Sequence, residues 1–426
     1  MRAALWLLAL FGIAAAVALF AGNNQGTVTV FWPPWRVDLS LNLVLLLLAG
    51  AFVLLYAALR ALAALLSLPH QARQWRVQQK ERALHSSLLD AMVQLIAGRF
   101  SRARKAALAA LAQERALEGL DVSLPQARQL RVLSHLLAAE SAQSLQDRPA
   151  RDAHLQLALN ESAERGVLSP ETREGVQLRS ARWALEDRDP AAALARLEEL
   201  PQGVQRRTLA LRLHLKAARQ ERRTLEALQT ARLLAKHRAF SEAAARSIVR
   251  GLATEVLSDS HDAAQLLRAW GALESNEREM PEVAIQAAQR MVLLNGDLAV
   301  ARSWLLPVWE RMVEQPRSLG DGLRVRLTRA LEAGLDSVDA DWLARIESAQ
   351  RNNPRDANLQ YLAGMACMKR QLWGKAQQLL TQAGLGLQDT ELYRRAWLAL
   401  AQLAEARDDA PQALAAWKRA AQTENL

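Results

Sequence analysis

Residues 357–386 read ANLQYLAGMACMKRQLWGKAQQLLTQAGLG, and residues 394–421 read RRAWLALAQLAEARDDAPQALAAWKRAA. Gly364, Cys367, Ala376, Leu380 and Ala383 of the first are matched 37 residues later by Ala401, Ala404, Ala413, Trp417 and Ala420. Apolar residues recur three or four apart, the period of a helix with one buried face. Small residues at Gly364/Ala401 and Ala376/Ala413 let two antiparallel helices approach closely, and the larger ones fill the gap between them. The stretch predicts a helix pair, made twice.

The spacing resembles the tetratricopeptide repeat, with Trp397, Leu400 and Ala401 in its first three positions and Asn353-Pro354 as the turn between units. Two departures stand out: Cys367 and Ala404 replace the usual aromatic, and the period is 37 rather than 34. Working towards the N-terminus, Gly98, Phe100 and Ala103 look like the turn and second helix of another unit. Ala139, Ala153 and Leu157 suggest a further one, as do Trp183, Pro190, Ala193 and Leu197. Residues 205–350 have helical patterns without a clear signature. The expected fold is all-α, an α-solenoid of tetratricopeptide-like helix pairs behind a two-helix transmembrane hairpin. The expected division is a membrane hairpin over 1–68, a basic juxtamembrane helix and first repeats over 69–204, irregular helix pairs over 205–350, and C-terminal repeats over 351–426.

The hairpin is read from two apolar runs. Residues 3–21 carry no charge, and residues 41–59 carry only Asn42 as a strongly polar residue. About 20 such residues at ~1.5 Å each cross a bilayer. The loop between them holds one cation, Arg36, offset by Asp38, whereas Arg73, Arg76, Lys80 and Arg82 follow the second run. Positive charge marks the cytoplasmic side, so both termini and the repeats are expected in the cytoplasm. Phe31-Trp32-Pro33-Pro34-Trp35 lies in the short outer loop; its Pro pair bars a helix, and its Trp rings suit the headgroup layer. Arg60 can snorkel to the inner interface, and the basic segment after Pro69 suits anionic lipid, making membrane lipids expected partners.

A two-span hairpin, a basic helix and an irregular helical array together resemble the HemY family of proteobacterial inner-membrane proteins. The likeness is carried by the hairpin followed by HQARQWRVQQK (70–80), by LLAAESAQSLQDRPARDAHL (136–155), and by the Trp-containing repeats near the end. The resemblance implies a role in late protohaem synthesis, with proteins of that pathway as partners. It brings no catalytic motif, and this sequence is not similar to the flavin-dependent protoporphyrinogen oxidase that shares the family's name.

The chemistry of the chain is sparse. Gly384-Leu385-Gly386-Leu387-Gln388-Asp389 lacks the third glycine of a dinucleotide fingerprint. No G-x-S-x-G motif surrounds a serine, so no catalytic residue is assigned and no enzyme is expected. His70, His85, His135, His154, His214, His237 and His261 never fall three or four apart, so no single helix offers two of them to a metal; each reads as a surface or helix-end residue. One cysteine, Cys367, excludes an intramolecular disulfide and a CxxCH haem attachment. No cofactor is required, although haem or a porphyrin could use a single His or Cys367 as ligand. The net charge of +10 is spread among interleaved acids, which argues against nucleic-acid binding.

The expected binding face is the concave groove of the last two repeats, lined by first-helix residues. Registering Gly364 with Ala401 places Asn358, Tyr361, Met365, Met368 and Lys369 of one unit there, with Arg395, Leu398, Gln402 and Glu405 of the next. Methionines adapt to varied surfaces, and the cations suit a carboxylate. The leading expectation is a membrane-tethered scaffold binding partner proteins or a porphyrin intermediate. The alternatives are a porphyrin or haem carrier and an envelope-assembly scaffold unrelated to haem.

Overall fold

The computed structural model describes residues 26–119, 126–163 and 169–422, together with Ile13, Ala14, Val17 and Gly22. The expected first span, 3–21, lies outside the described residues apart from three of these single positions. The chain divides into two compact units, 1–173 and 174–426.

The first unit corrects the all-α expectation. Strands β1 (Thr27–Trp32) and β2 (Trp35–Ser40) form an antiparallel hairpin turning at Pro33-Pro34. β-branched and aromatic residues alternate with polar ones along both strands, a period-2 pattern that a loop reading overlooks. The Leu41 amide donates to the Gly26 carbonyl at 2.9 Å and closes the hairpin base.

Helix α1 (Leu41–Ile96) starts there, with the Ser40 hydroxyl accepting from the Leu43 amide. It runs unbroken through Pro69, so the sequence boundary at residue 68 is not a helix end. Proline removes one intrahelical bond, and the long runs on both sides carry the helix across the gap. Within α1, Leu41–Ala63 is 23 residues of mean hydropathy 2.4, none of it buried in protein, long and apolar enough to cross a membrane. The same helix changes environment further on. Leu84, Leu88 and Ala91 are buried against Ala106, Ala107, Ala110 and Leu117 of α2 (Phe100–Glu118) and Leu130 and Ala138 of α3 (Ala127–Ser144). Helix α4 (Arg148–Ala163) pairs with α3.

Helix α5 (Pro170–Glu186) carries the chain into the second unit. There follow α6 (Pro190–Glu198), α7 (Gln202–Gln205), α8 (Thr208–Gln220), α9 (Thr224–Lys236), α10 (Glu242–Ser258), α11 (Ala263–Gly271) and α12 (Ser275–Arg278). Then come α13 (Pro281–Leu293), α14 (Leu298–Glu314), α15 (Asp321–Glu332), α16 (Ala340–Asn352), α17 (Ala357–Lys369), α18 (Trp373–Gly386), α19 (Thr390–Glu405) and α20 (Ala410–Ala421). One apolar core extends from Leu211 to Ala420, so residues 205–350 and 351–426 share it. The C-terminal pairing follows the sequence pattern: α17 packs on α18 and α19 on α20, with Gly364, Ala376, Ala401 and Ala413 all buried. Trp397 sits over Gly384, and Arg419 stacks 4.4 Å above its ring.

One turn recurs. Gly98, Gln146, Arg188, Arg222, Arg238, Asn295, Gln371 and Asp408 all have φ between 51° and 72°, and each follows the end of a helix. In every case the next residue's amide bonds the carbonyl five positions back: Arg99 to Gln94, Asp147 to Ala142, Asp189 to Ala184, Arg223 to Ala218, Ala239 to Leu234, Gly296 to Met291, Leu372 to Cys367, Asp409 to Ala404. This is the Schellman closure, which satisfies carbonyls the helix end leaves open. Glycine is favoured at the left-handed position, where other residues cost about 1–2 kcal/mol, yet it stands there only at Gly98. Asp147, Asp189 and Asp409 then cap the next helix by accepting from the Ala150, Ala192 and Gln412 amides. The unit is therefore repeated in backbone geometry more faithfully than in residue identity.

Candidate functional site

The second unit has a groove of about 960 Å³ built by residues 235–311. Its apolar floor comes from Ala235 near the end of α9, Phe240 in the loop that follows, Ala245 and Val249 of α10, and Met280 and Pro281 at the start of α13. Arg238, Arg246, Arg250 and Arg311 line it with Glu242, Glu279 and Glu282. The recurring turn places Arg238 there, at φ 52°. Arg246 pairs with Glu242 at 3.0 Å and Arg250 with Glu282 at 2.8 Å, whereas Arg238 and Arg311 have no carboxylate partner among the described residues. Phe240 is held by Arg212, whose guanidinium lies 5.8 Å from the ring and donates to the Ala239 carbonyl at 2.9 Å. An apolar floor with two free guanidinium groups suits a ligand with an apolar body and carboxylates. Nothing in residues 205–350 read alone marks this groove, because its lining comes from five separate helices and the loop after α9.

The face expected on the last two repeats is only partly open. Met365, Met368 and Leu398 are half-buried against the core. Asn358 is half-buried beside the cap of α17, where its amide donates to Asp356. Gln402 is exposed, and the exposed Glu405 accepts from the Trp417 indole at 2.8 Å. Tyr361 corrects the expectation: it is fully buried and lines no open face. Its hydroxyl donates to Glu332 at 2.7 Å, and burial followed by the Glu332 charge holds the phenol far above its ordinary range, as a neutral donor.

Arg395 bonds the other Glu332 oxygen at 3.2 Å and Glu391 at 2.9 Å, and Lys369 pairs with Asp336. The cations offered to a ligand carboxylate are thus occupied by the chain's own carboxylates. Glu391 stands four residues before Arg395 on one helix, a pairing that helical spacing makes readable, whereas Glu332 and Asp336 leave no such local sign. Glu332 lies 29 residues before Tyr361 and 63 before Arg395, on α15, and no local spacing connects them. Two arginines of the same helix reach the caps of following helices, Arg324 to Asp356 and Arg329 to Asp389.

In the first unit the α3–α4 pairing joins two histidines 19 residues apart in sequence. The Nδ1 atoms of His135 and His154 stand 3.0 Å apart, with ring centroids at 5.3 Å. His135 is 4% exposed in the middle of α3, not the surface or helix-end residue expected. Beside it, Arg131 donates to the buried Glu114 at 2.7 Å and to Glu161 at 3.2 Å. The short contact requires one ring to donate and the other to accept. Burial, then His154 and Arg115, push His135 down to about 4, against the opposing pull of Glu161; burial and Arg104 lower His154 as well. Among the described residues no group of three or more His, Cys, Asp or Glu side chains could hold a metal ion.

Because the folded pKa lies below the unfolded one, this pair stabilises the fold fully above about pH 6.5, and that contribution drains away as pH falls towards 4. Between pH 7 and 5 the opening free energy of the α3–α4 amides should drop by about 2 kcal/mol. Hydrogen exchange corrected for intrinsic rates would measure it. A flat profile, or one that His135→Asn leaves unchanged, would contradict the assignment.

Antiparallel helix pairs joined by one recurring turn, those from Leu211 onward sharing one core, define a helical-repeat protein, here with an apolar helix of membrane-spanning length leading into its first packed helices. Residues 26–146, from the hairpin to just beyond α3, match the family model described as the HemY protein N-terminus, so this segment is similar to that family. No curated protein matches the chain. Two solved structures are similar over most of it. One, of Naa15/Naa10 bound to HypK-THB, is 16% identical, covers 77% of this chain and 56% of its own, and has a TM-score of 0.25. The other, the P58(IPK) TPR domain, is 14% identical over 76% of this chain and 99% of its own, with a TM-score of 0.23. The fold therefore rests on the helix pairing itself.

Proposed function

We propose that this protein is a non-enzymatic scaffold anchored in the bacterial inner membrane, with both termini cytoplasmic, acting in late protohaem biosynthesis by holding partner proteins or a porphyrin intermediate. The observation that carries the tethering is the continuity of α1: one helix is bare and apolar over Leu41–Ala63 and buried in the repeat core from Leu84 onward. Repeats joined to a span by an unbroken helix stay close to the bilayer, which raises the effective concentration of whatever they bind for other membrane-bound partners. The link to haem comes from the HemY resemblance. The groove around Arg238 and Arg311 is the binding surface we favour, because its guanidinium groups are free whereas those near Tyr361 are engaged.

The test is Arg238→Glu with Arg311→Glu in the full-length protein. Charge-assisted hydrogen bonds contribute about 1.5–3 kcal/mol each, so losing both should weaken partner recovery from solubilised membranes at least roughly tenfold and raise cellular porphyrin. Unchanged recovery and porphyrin at normal protein abundance would refute the groove. A Soret band in the purified protein, lost in the double variant, would identify the occupant as a porphyrin.

A further inference from the structure

The register of the β1–β2 hairpin sorts its residues by face. Val28 stands opposite Leu39, Val30 opposite Val37 and Trp32 opposite Trp35, so six apolar side chains share one face. The other face carries Thr27, Thr29, Phe31, Arg36, Asp38 and Ser40. That second face is knit together: Thr29 donates to Asp38 at 2.6 Å, Arg36 pairs with Asp38 at 3.5 Å, and its guanidinium lies 5.4 Å from the Phe31 ring. On the apolar face Trp32 and Trp35 are about three-quarters exposed and Val30 and Val37 nearly half, with Val28 and Leu39 half-buried nearer the base; on the other face Phe31, beside Arg36, is exposed as well. A lone two-stranded hairpin is at best marginally stable in water and needs its apolar face covered.

What lies next to the hairpin identifies the cover. Its base is hydrogen-bonded to the first residue of Leu41–Ala63, where a membrane-crossing segment would meet the headgroups. We infer that the hairpin is an interfacial lipid-binding element: Val30, Trp32, Trp35 and Val37 face the headgroup–acyl boundary at the Leu41 end of the span, and Thr29, Arg36 and Asp38 face water. Trp is enriched at that depth, and the polar face meets the aqueous side with its groups already paired. Strands of six residues reach about 20 Å from the anchor, so the hairpin acts as an outrigger along the membrane surface. This rests on Leu41–Ala63 spanning the membrane.

Both readings are tested together in the full chain carrying Cys367→Ala, reconstituted in vesicles of phosphatidylethanolamine and phosphatidylglycerol. A nitroxide is placed singly by Val30→Cys, Val37→Cys, Thr29→Cys, Arg36→Cys or Leu54→Cys, and its collisions with oxygen and with a water-soluble nickel chelate are compared. The oxygen-to-nickel ratio should be at least about threefold higher at 30 and 37 than at 29 and 36, and highest at 54. A low ratio at 54 means that the span reading has failed. A high ratio at 54 with no alternation along the hairpin overturns the interfacial assignment alone. Nickel protection at 30 and 37 accompanied by spin–spin broadening would place a second copy on this face and overturn it too.

Discussion

Glu277→Ala should destabilise the second unit by about 3–5 kcal/mol, the cost of stranding one partner of a buried ion pair. Glu277 is 1% exposed on the short helix α12. Its two oxygens take Arg232 Nε at 2.8 Å and Nη2 at 2.6 Å, and Oε2 also accepts the Glu274 amide at 2.9 Å. Arg232 projects from α9 and donates as well to the Ala272 carbonyl. This fork is what fastens α12 to α9. Ala235 of α9 and Asn276 of α12 both line the groove, so the variant should lose groove binding along with stability. Glu277→Gln keeps the volume and an acceptor and should cost less. Urea unfolding followed by hydrogen exchange over residues 224–282 would measure both; a Glu277→Ala cost below about 1 kcal/mol would show that the fork does not hold the wall.

The second large effect is expected at Gly364. An added Cβ would stand 2.7 Å from Leu380 Cγ and 2.9 Å from its Cδ2, and Leu380 is completely buried. In an exposed helix, replacing Gly by Ala gains up to about 1 kcal/mol. Here the sign should reverse, with Gly364→Ala costing on the order of 1–3 kcal/mol by overpacking and Gly364→Leu costing more. The penalty belongs to the contact with Leu380, so it should largely vanish when measured in a Leu380→Ala background. A gain from Gly364→Ala in the parent, or an equal penalty in both backgrounds, would disprove the close approach of α17 and α18.

Much of the fold was legible in the residues because helix burial leaves a local record. The small positions Gly364, Ala376, Ala401 and Ala413 are buried as their spacing requires, and the apolar run beginning at Leu41 is a helix uncovered by protein. The recurring turn was harder to read, since Gln, Arg, Asn and Asp share its left-handed position with one Gly. The hairpin was hidden by its brevity, two strands of six residues around a proline pair.

The site was less accessible for a different reason. Tyr361 and Arg395 fall on the predicted helices, but how open they are to a ligand depends on Glu332, which accepts from the Tyr361 hydroxyl and pairs with Arg395. His135 and His154, Arg232 and Glu277, and Arg238 and Arg311 of the groove are likewise far apart in the chain. The sequence by itself determined the helices, the faces they bury and the segment suited to lipid, because those depend on neighbours within a few residues along one element. Only the tertiary structure decided which charges are free, which histidines meet and where a groove opens, because a polar group's partner is set by the packing of separate helices and leaves no periodic trace in either one.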